Sequence, residues 1–475
     1  MRIALAFAVL AGFFVAVLAV TAGAGVLAVY AFAHGFGAAA LTLALGAVLL
    51  TTALGRALAR AARIVQQPAG APLTRDDQPE LWRVVDELAA AAGTRAPDDV
   101  RLVVGVNAVA WEQTRMVGLR TGRRYLLIGL PLVAGLTVGE LRAMIAHELG
   151  HYGDRYARLA TLVQRTDGAL VLTAAQLTGV LGWLVGHYSR LSTRVAAAVN
   201  RELEFHADQA AVAATGAATA RAMLGRLGPL TAAWAHFERE FLALVPDSGR
   251  TPPLLLGFRA FLDDPDVRER LAGLDVALFE DPPRSPFDTH PPVRERIAAM
   301  TGGGAVTVDD RQAWTLLADL PALERGLDHG SGPVADWPEV VARAHAARAE
   351  RQAGTLVDAA RASGVAEHGT ADEVLAALGR GELLRLGEPL IAAGTPASRL
   401  VDTVVELLAA LVVTELLESG RATLGLDWSG RTRVVLVDGS EPDVLDLVEP
   451  AVVDPREAEA ARRAVAALCD RTLTD

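Results

Sequence analysis

The sequence predicts a mainly α-helical fold with a small β-sheet, transmembrane helices at the N-terminus and a mostly helical C-terminal accessory domain. Residues 3–55 contain no charged side chain, and apolar residues recur at helical spacing through much of the remaining chain. A Thr-Gly-Gly-Gly run at residues 301–304 is the clearest linker signal. A chain of 475 residues is expected to hold two or three domains. We therefore expect an N-terminal helical hairpin over 1–55, a central domain over 56–300 and a C-terminal domain over 301–475.

The uncharged N-terminal segment is long enough for two membrane crossings. As a helix it would extend about 80 Å, whereas one crossing needs about 30 Å of hydrocarbon. The turn is expected at His34–Gly37, with Thr21–Gly25 as the alternative. A cleaved signal peptide is the other interpretation, but the apolar stretch is too long and no basic cluster precedes it. Three arginines follow the second span: Arg56, Arg60 and Arg63. The positive-inside rule places them, and the domain after them, on the cytoplasmic side of the inner cell membrane.

The overall composition agrees with a membrane protein. Hydrophobic residues make up 52% of the chain, and the mean hydropathy is +0.30. The net charge of −11 argues against nucleic-acid binding. The single cysteine, Cys469, excludes an intrachain disulfide framework and fits a reducing compartment. Nothing in the sequence indicates the oligomeric state.

Local patterns place a few further elements. An amphipathic helix is expected over Pro79–Ala92, and two β-rich runs, Val100–Val106 and Arg124–Leu130, are expected to pair, with a turn at Gly118–Gly122. In the C-terminal half, helical patterns alternate with glycine breaks, and a β-hairpin is expected near residues 422–448. This half contains no metal, nucleotide or nucleophile motif.

The segment His147-Glu148-Leu-Gly-His151 is the most informative part of the chain. Residues four apart share one face of a helix, so the two histidines can offer two imidazole nitrogens to one Zn²⁺. Glu148 stands beside them, where it can take a proton from water as a general base. Thr137 and Glu140 form a capping-box pattern at the predicted start of this helix. An exposed helix with two unrelated histidines is the alternative, but the neighbouring apolar residues indicate burial.

A catalytic zinc ion needs a third protein ligand. Glu204 is our prediction, because Asp208 lies one helical turn later, where it can accept the second ring N–H of a ligand histidine. Glu202 and His206 are the rival ligands. Glu202 has no acid four residues on, and His206 lies on the opposite side of the helix from Glu204.

These motifs together resemble the membrane zinc peptidases of the HtpX and CAAX prenyl protease 1 superfamily, over roughly residues 75–300. The family has the same His-Glu-x-x-His helix and a third-ligand motif of the form Arg-x-x-Glu-x-x-Ala-Asp, which Arg201–Asp208 matches. Asn107-Ala108-Val109-Ala110 resembles the family's edge strand beside the active site. Thr289–Ile297 resembles an element near the end of its protease domain.

The resemblance implies a zincin-like metallopeptidase domain with one Zn²⁺ per chain. A peptide substrate would add a strand along Val104–Ala110, where Asn107 would hold its backbone together with Ala108, Val109 and Ala110. His290 would stabilise the oxyanion, or would merely pack in a turn formed by the two prolines that follow it.

A third apolar stretch, 168–188, lies between the two zinc motifs. A single membrane crossing is excluded if Glu204 is a ligand, because His151 and Glu204 would then lie on opposite sides. A re-entrant or interfacial helix, a tight two-segment hairpin and a core helix remain, and the resemblance favours a membrane hairpin.

The expected activity is hydrolysis of peptide bonds by a membrane-anchored zinc metalloendopeptidase, with Glu148 as the general base. The resemblance and the membrane anchor imply membrane or misfolded proteins as substrates. The alternatives are a non-catalytic membrane scaffold with a structural zinc site, and a protease of prenylated CAAX peptides.

Overall fold

The computed structural model of the chain describes residues 2–63, 70–115, 120–153, 155–273, 290–302, 308–327, 330, 332–391 and 396–470. The helices are α1 (Arg2–Ala33), α2 (Gly37–Arg63), α3 (Pro79–Ala91), α4 (Leu130–Gly135), α5 (Val138–Gly150), α6 (Arg155–Ala175), α7 (Gly179–Thr215), α8 (Ala217–Glu240), α9 (Val245–Ser248), α10 (Leu254–Asp263), α11 (Pro265–Ala272), α12 (Val293–Ala299), α13 (Leu320–Arg325), α14 (Trp337–Ala362), α15 (Ala371–Gly379), α16 (Leu383–Gly387), α17 (Ala397–Glu418), α18 (Val444–Val453) and α19 (Ala458–Asp470). The strands are β1 (Ala71–Pro72), β2 (Asp99–Val103), β3 (Ala108–Arg115), β4 (Arg120–Gly129), β5 (Ala422–Gly425) and β6 (Arg433–Leu436), and three short 3₁₀ helices cover Leu242–Leu244, Ala313–Leu316 and Pro455–Glu457.

The chain forms two compact units, one of Met1–Trp234 with Leu271–Asp328 and one of Ala235–Arg270 with His329–Asp475. These bounds differ from the boundary that the linker at 301–304 suggests. Aromatic packing is one reason: the rings of Phe237 and Trp337 lie 5.2 Å apart, within the second unit. The assignment of functional domains stays a prediction.

The first two helices are each long and apolar enough to cross a membrane. They are joined by a turn at His34–Phe36, as predicted, whereas the alternative turn at Thr21–Gly25 is wrong because those residues are helical. Most of their large apolar side chains are exposed. The two helices therefore suggest that the chain associates with a membrane.

The apolar stretch 168–188 is a helical hairpin rather than one helix. α6 ends at Ala175 and α7 begins at Gly179, whose φ of +66° allows the chain to reverse without a Cβ clash. The hairpin packs against α1, since the Tyr188 hydroxyl donates to the Val9 carbonyl at 2.5 Å. Trp183, near the tip, has 62% of its surface exposed. Because the chain leaves along α6 and returns along α7, the residues before and after the hairpin lie at the same end. Insertion of this hairpin into the bilayer stays a prediction.

The sheet of the first unit has the strand order β1-β2-β4-β3. The predicted pairing of the two β-rich runs is confirmed, as β2 and β4 are parallel neighbours. β3 pairs antiparallel with β4 and forms the edge of the sheet. The predicted edge strand Val104–Ala110 is only partly correct: Gly105, with a φ of +135°, turns the chain, and the strand begins at Ala108. The turn expected at Gly118–Gly122 is wrong for residues 120–122, which belong to strand β4, and its first two residues lie outside the described part of the chain.

Helix α3 confirms the amphipathic helix predicted over Pro79–Ala92, and its apolar face is buried. In the second unit, α14 and α17 pack around fully buried side chains such as Leu356 and Leu408. β5 and β6 form an antiparallel hairpin from Ala422 to Leu436. The predicted hairpin over 422–448 is too long, because Asp443 caps α18: its carboxylate accepts from the backbone N–H groups of Leu445 and Asp446.

Candidate metal centre

The metal-site helix, α5, begins with the predicted capping box. The Thr137 N–H donates to Glu140 Oε2 at 2.8 Å, and the Glu140 N–H donates to Thr137 Oγ1 at 3.2 Å. Nearly every residue of the helix is buried. His147 and His151 lie one turn apart, with ring centroids separated by 5.0 Å and planes at 85°. The helix is therefore fixed at its start and presents both imidazoles on one face.

A small residue at position 150 lets α7 approach α5 closely. A Cβ atom on Gly150 would lie 2.8 Å from the Ala210 Cβ and 3.1 Å from the Ala207 Cα. Such contacts are too short for any side chain, so glycine allows the approach. It brings Glu204, on the facing side of α7, towards the two histidines.

Three candidate ligand atoms converge between the two helices. Glu204 Oε2 lies 3.6 Å from His147 Nε2, and Glu204 Oε1 lies 3.8 Å from His151 Nε2. Ligand atoms of all three residues lie within 4.8 Å of one another. Tetrahedral zinc with bonds of about 2.0–2.1 Å separates its ligands by about 3.4 Å. Two imidazoles and a carboxylate at these distances fit one zinc ion, and this is the one such cluster among the described residues.

The two rival ligands point elsewhere. The Glu202 carboxylate lies 3.8 Å from Arg2 and is 41% exposed, and His206 is exposed. Asp208 lies behind the cluster instead, with Oδ1 3.1 Å from His147 Nδ1. The sequence predicts that Glu204 and Asp208 share one face of their helix. The contacts of both residues with His147 agree with that prediction.

Arg296 is the residue that sequence reasoning missed. From α12, its Nε and Nη2 donate to the two carboxylate oxygens of Asp208 at 2.9 and 2.7 Å. Its Nη1 lies 3.2 Å from Glu204 Oε2. Two signals could have pointed to Arg296. It lies in the segment Thr289–Ile297, which resembles an element of the family, and the two predicted buried acids, Glu204 and Asp208, require a cation nearby.

The buried charges hold the ligand side chains in their metal-binding states. Burial alone would raise the pKa of Glu204, but the contacts with His290, His147 and Arg296 lower it to about 2. Burial, followed by the neighbouring His147, lowers the pKa of His151 to about 3. A carboxylate and a neutral imidazole are the forms that bind metal, so both residues are ready to do so near neutral pH.

Glu148 lies beside the cluster and contacts the edge strand. Burial raises the pKa of its carboxyl, while the contact with His147 and a hydrogen bond from the Ala110 N–H oppose that rise. The Ala110 N–H donates to Glu148 Oε2 at 2.9 Å, and the Tyr152 hydroxyl donates to the Ala110 carbonyl at 2.7 Å. A raised pKa suits a group that accepts and then returns a proton near neutral pH.

The predicted residues His290, Asn107 and Ala108 line the mouth of the site. His290 Nδ1 lies 3.2 Å from Glu204 Oε2, with 70% of the side chain exposed. Asn107 is exposed in the loop before β3, and Ala108 and Val109 begin that strand. Thr289 lies outside the described residues. The structure thus brings His290, Asn107 and Ala108 to the same cavity as His147 and Glu148.

A cavity of about 210 Å³ adjoins the cluster. His147, Glu148 and Glu204 form one side of it. Apolar side chains form one part of the remaining wall, and these belong to Val106, Ala108, Leu132, Met144, Met223, Leu224 and Leu227; the polar residues Asn107, Thr231, His290 and Arg296 complete it. Such a lining can accept an apolar side chain next to the reacting bond.

Residues 75–303 match the family model described as Peptidase family M48. The family match and the relatives found support an HtpX-like M48 peptidase domain in this part of the chain. Protease HtpX of Pseudomonas putida (strain F1) is 24% identical over 267 residues, which cover 52% of this chain and 77% of the relative. A Protease HtpX homolog of Lactiplantibacillus plantarum is 27% identical over 246 residues, or 47% and 73% of the two chains. Protease HtpX of Ectopseudomonas mendocina is 24% identical over 263 residues, or 51% and 77%. No solved structure matches the chain significantly.

The matches confirm the resemblance drawn from the motifs. They support a metallopeptidase, and the cluster of His147, His151 and Glu204 fits zinc binding by such a domain. The match to the family model ends at residue 303.

Proposed function

We propose that the chain is a membrane-anchored zinc metalloendopeptidase that hydrolyses peptide bonds in membrane or misfolded proteins. One Zn²⁺ per chain would be held by His147, His151 and Glu204. The observation that carries the proposal is the convergence of these three side chains beside the buried carboxylate of Glu148. An assay with a casein-like protein tests the proposal. The zinc-loaded chain should cleave this substrate, a chelator should abolish the cleavage, and added zinc should restore it.

The chemistry divides between the metal and the protein. When bound, zinc would polarise the scissile carbonyl and lower the pKa of a water from about 15.7 towards 7. Glu148 takes the proton from the attacking water and delivers it to the leaving amine. The Ala110 N–H orients the Glu148 carboxylate for both transfers.

The mouth of the site supplies the groups that a peptide needs. β3 is an edge strand, so a substrate can pair with backbone groups that this strand directs away from β4. Asn107 and Ala108 lie at the start of this edge and line the cavity with Glu148. His290 lies 3.2 Å from Glu204, close enough to the cluster to donate to an oxyanion.

The N-terminal helices support a membrane location. α1 and α2 would form a transmembrane hairpin, and the arginines after it would place the peptidase domain at the cytoplasmic face of the inner membrane. Substrates would then be proteins presented close to the bilayer. Protease accessibility of the domain in right-side-out and inverted vesicles tests this orientation.

Asp208→Asn should lower zinc affinity by about 10–100-fold, because a carboxylate behind a ligand histidine fixes its tautomer. Titration of the metal-free protein with zinc measures the change. Asp167→Asn is the matched control, since Asp167 is also buried but hydrogen-bonds Ser192 and Thr193 in the hairpin. Equal zinc affinities for Asp208→Asn and the wild type would remove Asp208 from the site.

Leu227→Trp should narrow the apolar cavity and change substrate preference. We expect kcat/KM to fall about 10-fold or more for peptides with leucine or phenylalanine beside the scissile bond, and little for alanine. Leu256→Trp, at an exposed leucine of α10, is the control. A uniform loss across all peptides would contradict the assignment of this cavity to a substrate side chain.

A structural zinc site is the second candidate, and the position of His290 is the observation that favours it. A fourth protein ligand would close the site and exclude catalysis. Spectroscopy of the cobalt-substituted protein distinguishes the two. A coordinated water indicates an open catalytic site, and coordination by His290 in the presence of substrate indicates a closed one.

A further inference from the structure

Tyr152 ties the edge strand to the end of the metal-site helix. It follows His151 directly and is buried, and its hydroxyl donates to the Ala110 carbonyl at 2.7 Å. The Arg124 guanidinium lies over its ring, 4.3 Å from the centroid. The ring is therefore held from one side while the hydroxyl holds the strand.

The N–H of Ala110 is also occupied, by Glu148 Oε2 at 2.9 Å. In an antiparallel pair, one residue directs both backbone groups to its partner strand and the next directs both away from it. Since β4 is the partner of β3, the two bonds of Ala110 show that it faces the open edge. Ala108, two residues earlier, faces the same way.

Beyond Ala110, a side chain of α6 contacts the strand. Glu112, the next residue of this phase, has a side chain that is only 4% exposed. Its carboxylate accepts from Arg124 at 2.7 Å and from Arg165 of α6. The Arg165 side chain of α6 thus contacts the strand at Glu112, and Ala108 is the residue of this phase that lines the cavity.

We propose that Tyr152 is a positioning residue that closes the edge of β3 at Ala110, so that a substrate backbone pairs with this strand through Ala108 alone. The inference rests on the proposed peptidase function and adds a limit to substrate binding. An extended substrate gains one pair of main-chain hydrogen bonds from β3 and then leaves the strand. By holding the Ala110 carbonyl, Tyr152 also keeps the Ala110 N–H directed at Glu148.

A scan with N-methylated peptides tests the proposal. Each peptide carries one N-methyl group, which removes one backbone donor. In the wild type, kcat/KM should fall about 3- to 10-fold for the N–H that pairs with the Ala108 carbonyl. Two residues further along the peptide, the substrate N–H would face the Ala110 carbonyl. Methylation of that N–H should have no effect, because the carbonyl already accepts from the Tyr152 hydroxyl.

Tyr152→Phe should make that second position sensitive, because the freed Ala110 carbonyl can accept from the substrate. The same variant should lower kcat more than it raises KM on short peptides, since Glu148 loses its support. Tyr125→Phe is the matched control: it removes a hydroxyl from the same sheet that contacts Gln113 rather than Ala110. Its scan should equal that of the wild type, and all three proteins should hold equal zinc.

Two results would overturn the inference while leaving the peptidase function intact. One is a wild type that is sensitive at both positions, which needs no variant to detect. The other is a folded, zinc-bound Tyr152→Phe protein whose scan equals that of the wild type. Absence of all peptide cleavage by the zinc-bound wild type would instead overturn the proposed function, and this inference with it.

Discussion

Glu148→Gln leaves zinc bound and lowers peptide hydrolysis by about 10²–10⁴-fold or more, the range that general acid–base catalysis contributes. Glutamine has the same shape and can still contact the Ala110 backbone, but it cannot take a proton from water. Zinc content by elemental analysis and the initial rate on a casein-like substrate measure the two effects separately.

Glu87→Gln is a suitable control for this experiment. Glu87 is half-exposed and pairs with Arg142 of the same metal-site helix, 2.6 Å away. The Glu87→Gln substitution removes a charge near the metal-site helix but changes no residue that lines the cavity. Activity should therefore stay near that of the wild type. Undiminished cleavage by Glu148→Gln would remove Glu148 from the mechanism.

Glu204→Gln should abolish stable zinc binding and, with it, hydrolysis. The loss should exceed the roughly 10–100-fold that changes behind the ligands cost, because a direct ligand is removed. Arg296 would also lose one of its two acidic partners, which adds to the disturbance of the cluster. Zinc retained after dialysis against a weak chelator measures the outcome.

Glu202→Gln provides the matched comparison, since it lies two residues earlier on the same helix and is the rival ligand from the sequence. Its carboxylate lies near Arg2 and away from the histidines. We expect its zinc content and activity to equal those of the wild type. The reverse result, with zinc lost from Glu202→Gln and kept by Glu204→Gln, would exchange the roles of the two residues.

The metal cluster could be predicted because its information is local. Four-residue spacing places His147 and His151 on one face, and the same spacing selects Glu204 together with Asp208. Arg296 could not be found this way, because it contacts Asp208 from 88 residues further along the chain. A charged pair at that separation depends on how α7 and α12 pack, which no local periodicity encodes.

The errors in the fold have equally local causes. The edge strand starts later than expected because Gly105 adopts a conformation that β-propensity does not anticipate. The apolar stretch 168–188 breaks between Ala175 and Gly179 without a charged residue or a proline, so hydropathy alone cannot place its turn. The hairpin predicted in the C-terminal half ran too far because Asp443 starts a helix.

The central claim is that one divalent ion is held by two imidazoles from α5 and one carboxylate from α7. A crystal structure of the zinc-loaded protein tests it most directly. We predict one zinc per chain, about 2.0–2.2 Å from nitrogens of His147 and His151 and an oxygen of Glu204, with a fourth position open to solvent. Zinc bound elsewhere, or bound to the two histidines with Glu204 turned away, would contradict the account.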